Sequence, residues 1–189
     1  MRLRGRGTRE NRKPDEDSSR GLIKHGRPNS GSDESVAGQC YQLALRFLGH
    51  RQRSEAEILR YLNSKNAFTD EEINNTIARL KNLKLVDDRE FARSWRDDRL
   101  TFKPRSRAMI RRELVQKGLD AETINEAIAG IDDLESAFQV ANRRASQLSK
   151  LEYPEFYRRL AGFLGRRGYS GEVISITVRK IWQTLQGNR

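Results

Sequence analysis

"AFTDEEINNTIARL", Ala67–Leu80, aligns without a gap to "GLDAETINEAIAGI", Gly118–Ile131, and to "GYSGEVISITVRKI", Gly168–Ile181. The shared apolar positions are Ile73, Ile77 and Leu80, then Ile124, Ile128 and Ile131, then Ile174, Val178 and Ile181. This i, i+4, i+7 spacing is one face of an α-helix. Each segment has an N-cap residue at the same place: Thr69, Asp120 and Ser170. Their side-chain oxygens can accept from an otherwise unpaired backbone N–H. A glutamate follows two positions later (Glu71, Glu122, Glu172), where the helix dipole favours negative charge. Phe68, Leu119 and Tyr169 precede the caps and can fold back on the first turns as staples.

Working toward the N-terminus of each segment, a second helix repeats as well. Ile58 and Leu62 correspond to Ile110 and Leu114 and to Leu160 and Leu164. Lys65, Lys117 and Arg167 close these helices, where a cation suits the C-terminal dipole. Gly118 and Gly168 follow as left-handed C-caps, and in the first repeat an extra residue, Asn66, enters the turn. A third helix precedes each pair, over roughly 36–50, 88–102 and 134–149. Its apolar marks are Leu45 and Leu48; Phe91, Trp95 and Phe102; and Phe138, Ala141, Ala145 and Leu148. The expected fold is therefore all-α, with three tandem three-helix repeats in an elongated, curved array. The expected organisation is a basic disordered tail over 1–34 and repeats over 35–84, 85–132 and 133–189. Short helices bury little alone, so adjoining modules are expected to pack on one another. The segments "LTFKPRS" and "LSKLEYPE" leave separate beads on bending linkers as the alternative.

Composition narrows the function. The 189 residues are 35% hydrophobic and 33% charged, with a formal net charge of +11, so a polyanion or an acidic protein surface is the natural partner class. The single cysteine, Cys40, rules out an internal disulfide and sits among apolar residues as a structural thiol. His25 and His50 lack ligand spacing to it, so no metal or other cofactor is expected. No apolar run is long enough to span a bilayer and no signal-peptide pattern opens the chain. A cytoplasmic monomer without membrane contact is the expectation. The tail, "MRLRGRGTRENRKPDEDSSRGLIKHGRPNSGSDE", is too polar to offset its ordering entropy.

"LVDDREFARSWRDDRL", Leu85–Leu100, is the most charged stretch. Asp87 and Asp88 open a helix, where a cap and first-turn charge explain them. They have no histidine nearby and no evident pocket, so acid–base catalysis is not expected. The basic residues are more telling. Arg89, Arg93, Arg96 and Arg99, followed by Lys103, form one helical stripe, and Arg105, Arg107, Arg111, Arg112 and Lys117 extend it. Phosphates or an acidic protein groove would dock on such a surface, and a merely solvated face is the competing reading. The helix after Asp120 offers Glu122, Asn125 and Glu126, which suits major-groove reading poorly.

"LALRFLGHRQRSEAEILRYLNSK", "LKLVDDREFARSWRDDRL", "IRRELVQKGLDAETINEAI" and "FLGRRGYSGEVI" together resemble the successive signatures of the RecX family of RecA regulators, over about residues 41–185. The resemblance implies three tandem three-helix repeats and a non-enzymatic protein that binds in the groove of RecA–DNA filaments. In the family such binding usually inhibits strand exchange, ATP hydrolysis and co-protease activity, with effects on DNA repair and recombination. It also implies weak binding to single-stranded or duplex DNA. Two features depart from the family pattern. A basic-glycine-x-glycine-like turn is replaced by "LTFKPRSRAMI", where Pro104 can supply the turn, and the basic tail lies outside the common core. A stand-alone basic DNA-binding protein is the alternative function.

Overall fold

A computed structural model describes residues 36–187, and the tail expected over 1–34 lies outside the described residues. Among the described residues the regular structure is helical, without a strand. Helices α1 (Val36–Leu48), α2 (Glu55–Asn63) and α3 (Asp70–Asn82) form a first triplet. Helices α4 (Asp88–Thr101), α5 (Arg107–Lys117) and α6 (Ala121–Ile128) form a second. Helices α7 (Asp133–Ala145), α8 (Tyr153–Gly165) and α9 (Gly171–Gly187) form a third, with a short 3-10 turn, Ser146–Leu148, after α7.

Each triplet closes around its own core. The first buries Cys40, Ala44, Ile58, Leu62, Ile73, Ile77 and Leu80. The second buries Phe91, Ala92, Ile110, Leu114, Ile124 and Ile128, and the third Ala141, Ala145, Phe156, Leu160, Leu164, Val178 and Ile181. These include nearly all the i, i+4, i+7 positions; Ile131 and Ile174 are only partly buried. Burying each such aliphatic side chain contributes about 1.5–3 kcal/mol.

The caps form as their chemistry demands. Thr69 accepts from the Glu72 N–H while Glu72 reaches back to the Thr69 N–H at 2.8 Å, so Glu72 and not Glu71 completes a capping box. Asp120 accepts from Thr123 N–H at 2.9 Å and Ser170 from Val173 N–H at 3.3 Å. Gly118 and Gly168 have φ of +85° and +87°, and in the first module Asn66 takes the left-handed position with φ of +51°.

Three expectations are corrected. Phe102, expected among the apolar marks of this helix with Phe91 and Trp95, does not share the buried face of α4, because that helix ends at Thr101; Phe102 is the C-cap residue and 76% exposed. The helix after Asp120, expected to run to Ile131, stops at Ile128, because Ala129 turns extended with ψ of 139° and Gly130 follows with φ of +75°. In α1 the fully buried positions are Cys40 and Ala44, with Leu45 and Leu48 packed only partly against them.

Neighbouring triplets are held by one joint used twice. At the first, the α2 N-cap Ser54 donates its hydroxyl to the Lys117 carbonyl at 2.7 Å, and Glu55 N–H donates to Asp88 Oδ1 at 2.8 Å. At the second, the α5 N-cap Ser106 donates its hydroxyl to the Gly168 carbonyl at 2.7 Å, and Arg107 N–H donates to Asp133 Oδ1 at 2.7 Å. Ser54 and Ser106 are both fully buried. In each joint the serine keeps its capping bond and also grips the end of the next module's middle helix. The glycine there lies against the capped helix: a Cβ on Gly118 would fall 2.4 Å from Ala56 Cβ, and one on Gly168 would fall 2.9 Å from Met109 Cβ.

Candidate functional site

The basic stripe expected on α4 and α5 divides into two kinds of residue. Helix geometry explains the division. Arg99 lies four residues after Trp95 and eight after Phe91, so it projects beside the buried face and not away from it. There the Trp95 indole N–H donates to Glu113 Oε2 at 2.8 Å, and Arg99 Nε donates to the same oxygen at 2.5 Å. The Arg99 guanidinium lies 4.2 Å from the Trp95 ring centroid and the Lys117 ammonium 4.7 Å from it. Lys117 also bonds Glu57 Oε1 at 2.7 Å, across the first joint. Burial pushes the Glu57 carboxyl upward, but hydrogen bonds from Arg51 and Lys117 outweigh it and hold the group at about 2. Arg99 and Lys117 are thus committed to internal contacts.

Arg96 is also drawn inward. It donates to the Ala127 carbonyl at 3.0 Å, satisfying the C-terminal end of α6, and to Asp97 at 2.8 Å. Arg89 faces Glu122 and Glu126 of α6, at 3.5 Å from each. These pairs are exposed and each is worth only about 0–1 kcal/mol. Arg111 donates to Asn125, and Arg105 to the Arg166 carbonyl at 2.9 Å. The Arg107 side chain is exposed while its backbone N–H serves the second joint. Arg93, Lys103 and Arg112 are exposed, and their side chains have no ion-pair or hydrogen-bond partner among the described residues. Arg89, Arg93 and Arg96 share a shallow cleft of about 90 Å³ with Thr123, Glu126 and Ala127.

The opening aspartates of α4 also separate. Asp87 is the N-cap and accepts from Glu90 N–H at 2.9 Å, as its position predicts. Asp88 instead reaches the first joint. Burial raises its carboxyl above the usual range, and the bond from Glu55 N–H pulls it back only in part. Asp87 lines a small cavity of about 110 Å³ with Arg53, Lys84, Glu90 and Phe91, and no group of three metal-ligating side chains is found among the described residues. The described residues also contain no helix long and apolar enough to cross a membrane.

What the spacing of basic residues did not reveal is how many of them are neutralised from α6, from Glu113 and from Glu57. The i+4, i+8 relation of Arg99 to Trp95 and Phe91 was the one readable signal. The partners on other helices lie 14 to 60 residues away in sequence.

Known proteins share the succession of three helix triplets. Residues 40–80 match the domain described as RecX, first three-helix domain; residues 87–128 match the second and residues 131–178 the third. A protein named "Regulatory protein RecX" from Chlorobaculum tepidum is 34% identical over 149 residues, covering 79% of this chain and 92% of the relative. One of the same name from Mycobacterium avium is 33% identical over 147 residues, covering 76% of this chain and 84% of the relative. The crystal structure of RecX from Lactobacillus salivarius superposes with a TM-score of 0.66 at 21% identity, covering 77% of this chain and 96% of that one.

Proposed function

The chain belongs to the RecX family, and on that premise we propose that it is a non-enzymatic regulator that binds the RecA–DNA filament and inhibits recombinase, ATPase and co-protease activity. The observation that carries this reading is the ordered set of three family domains spanning residues 40–178, in relatives that share the name regulatory protein. Through that regulation the protein acts in DNA repair and recombination. It works in the cytoplasm, as a monomer and without a cofactor.

The contact surface on the second module is the exposed part of the stripe. Arg93, Lys103 and Arg112 lead it, since their side chains have no partner among the described residues. Arg89, Arg105, Arg107 and Arg111 flank it. Arg96, Arg99 and Lys117 hold the scaffold beneath. Guanidinium and ammonium groups so placed suit acidic protein side chains or phosphates on a filament.

Co-sedimentation with preformed RecA filaments on single-stranded DNA tests the assignment. The wild type is expected to pellet with filaments, and a triple charge reversal, R93E/K103E/R112E, is expected to stay in the supernatant while keeping its helical circular dichroism. Unchanged pelleting of a folded triple variant would remove the stripe from the interface. A second reading, a stand-alone DNA-binding protein, is favoured by the +11 net charge. It predicts that coating the DNA with RecA adds nothing to the affinity and that the R93E/K103E/R112E variant pellets no less with filaments than with naked DNA.

A further inference from the structure

The third module carries a basic cleft that the stripe does not include. Arg144 on α7 faces Arg158, Arg159 and Arg166 of the α8 region across a cleft of about 450 Å³, with Gly162 and Phe163 completing its lining. Arg159, Phe163 and Arg166 follow i, i+4, i+7 on one face of α8, and Gly162 leaves bare backbone between the arginines. All four guanidinium-bearing residues are exposed.

The charge balance here differs from that on α4. Around α4, Arg89, Arg96, Arg99 and Lys117 each meet a carboxylate. Of the four arginines lining the cleft in the third module, two meet a carboxylate, the same one: Glu155 bonds Arg158 at 2.8 Å and Arg159 at 2.5 Å. Those two bonds hold the Glu155 carboxyl at about 2, so it stays charged at neutrality; its ion pairs do not extend to Arg144, which bonds the neutral Gln147 side chain, or to Arg166. More positive charge converges behind the cleft. Arg105 of the second module docks on the Arg166 carbonyl at 2.9 Å. Burial, and then the like charges of Arg105, Arg166 and Arg144, depress the neighbouring Arg167 guanidinium below its usual value. An anion seated in the cleft would offset repulsion that the protein leaves uncompensated.

Two features select a nucleic-acid backbone over an acidic protein. Protein interfaces are organised around a buried apolar or aromatic core. The only aromatic lining residue, Phe163, already has Arg167 stacked on it at 3.6 Å, so the cleft offers no free aromatic anchor. Spacing also fits. Arg159 and Arg166 are separated by roughly 10 Å along α8, a length that lets them meet separate phosphates of one strand.

We propose that the α7–α8 cleft of the third module, lined by Arg144, Arg158, Arg159 and Arg166, is a phosphodiester-binding site for a nucleic-acid strand. It acts without the recombinase and is separate from the stripe assigned to the filament, so either assignment can fail alone.

The test is fluorescence anisotropy of a labelled oligo(dT) with the full chain, across a salt series and without RecA. The variant R144Q/R159Q/R166Q is expected to bind roughly tenfold more weakly, with the salt slope reduced by about 2. A matched variant, R46Q/K84Q/R179Q, loses the same charge at exposed sites elsewhere and is expected to stay near wild-type affinity. Equal losses in the two variants would overturn the proposal in favour of net charge alone, and no loss in the first would also overturn it. Poly-glutamate competing as well as oligo(dT), charge for charge, would overturn the phosphate assignment and point to an acidic protein. A measurement on the unaltered chain guards against misfolding. Phenylglyoxal modification read by mass spectrometry is expected to show Arg159 and Arg166 protected by oligo(dT) while Arg46 stays reactive, and equal reactivity with and without DNA would refute the site.

Discussion

A methyl group at Gly118 would meet two obstacles at once, a left-handed backbone with φ of +85° and the Cβ of Ala56 at 2.4 Å. Gly130 offers a control, with φ of +75° and nothing within 4 Å of an added Cβ. Gly130→Ala is therefore expected to cost only the left-handed penalty, about 1–2 kcal/mol. Gly118→Ala is expected to exceed it by a further 1–3 kcal/mol or so, the range seen for overpacking. Urea denaturation of both variants checks the ordering, and equal costs would mean that the first joint yields freely. Glu57 makes a second prediction at this scale. Its folded carboxyl lies at about 2, below its ordinary value near 4.5. A depressed carboxyl contributes stability that is fully present above the ordinary value and is lost as pH falls toward the folded one. Wild-type stability is thus expected to decline between about pH 4.5 and 2 by more than that of Glu57→Gln, as measured by urea midpoints along a pH series. Parallel curves would show that the bonds to Arg51 and Lys117 do not set the titration.

Helix α4 shows how far an element can be read from sequence. Its start was legible because a cap is local: Asp87 accepts from a backbone N–H three residues on, at 2.9 Å. Its buried face was legible through Phe91 and Trp95, and those of α3, α6 and α9 through isoleucine and valine spacing. Phe102 was misjudged because periodicity does not announce where a helix stops. The role of Asp88 was hidden for another reason, since its hydrogen-bond donor is the Glu55 backbone, 33 residues earlier on a different helix. The stripe was legible as a set of charges but not as a surface, because Glu57, Glu113, Glu122 and Glu126 return to it from other elements. The arginine cleft went unnoticed although its residues belong to three Arg-Arg doublets, 143–144, 158–159 and 166–167. Only the packing of α7 on α8 gathers them. A stability contrast follows for α4. Arg99→Ala removes a bond to the half-buried Glu113 and the packing on Trp95, and is expected to cost about 1–2 kcal/mol. Arg93→Ala is expected to fall within about 0.5 kcal/mol of wild type, as exposed sites without contacts do. Chemical denaturation distinguishes them, and similar values would mean that the Trp95 cluster is not a supporting contact.

Across the described chain, three small cores are linked by two joints of the same design. A buried serine caps one helix and holds the end of another, an aspartate from the next module's first helix accepts from the backbone beside it, and a left-handed glycine permits the approach. Such joints fix neighbouring modules against each other and suit a protein that must present separated surfaces in a set register. The exposed stripe of the second module is proposed to meet a filament and the arginine cleft of the third a nucleic-acid strand. The most direct test of the regulator assignment is ATP hydrolysis by the cognate RecA on single-stranded DNA, with this protein titrated well below one copy per recombinase. The account predicts strong suppression at those ratios, because a regulator of an assembled filament acts on many subunits at once. Suppression that begins only when the protein is abundant enough to coat the DNA, or none at any ratio, would contradict it.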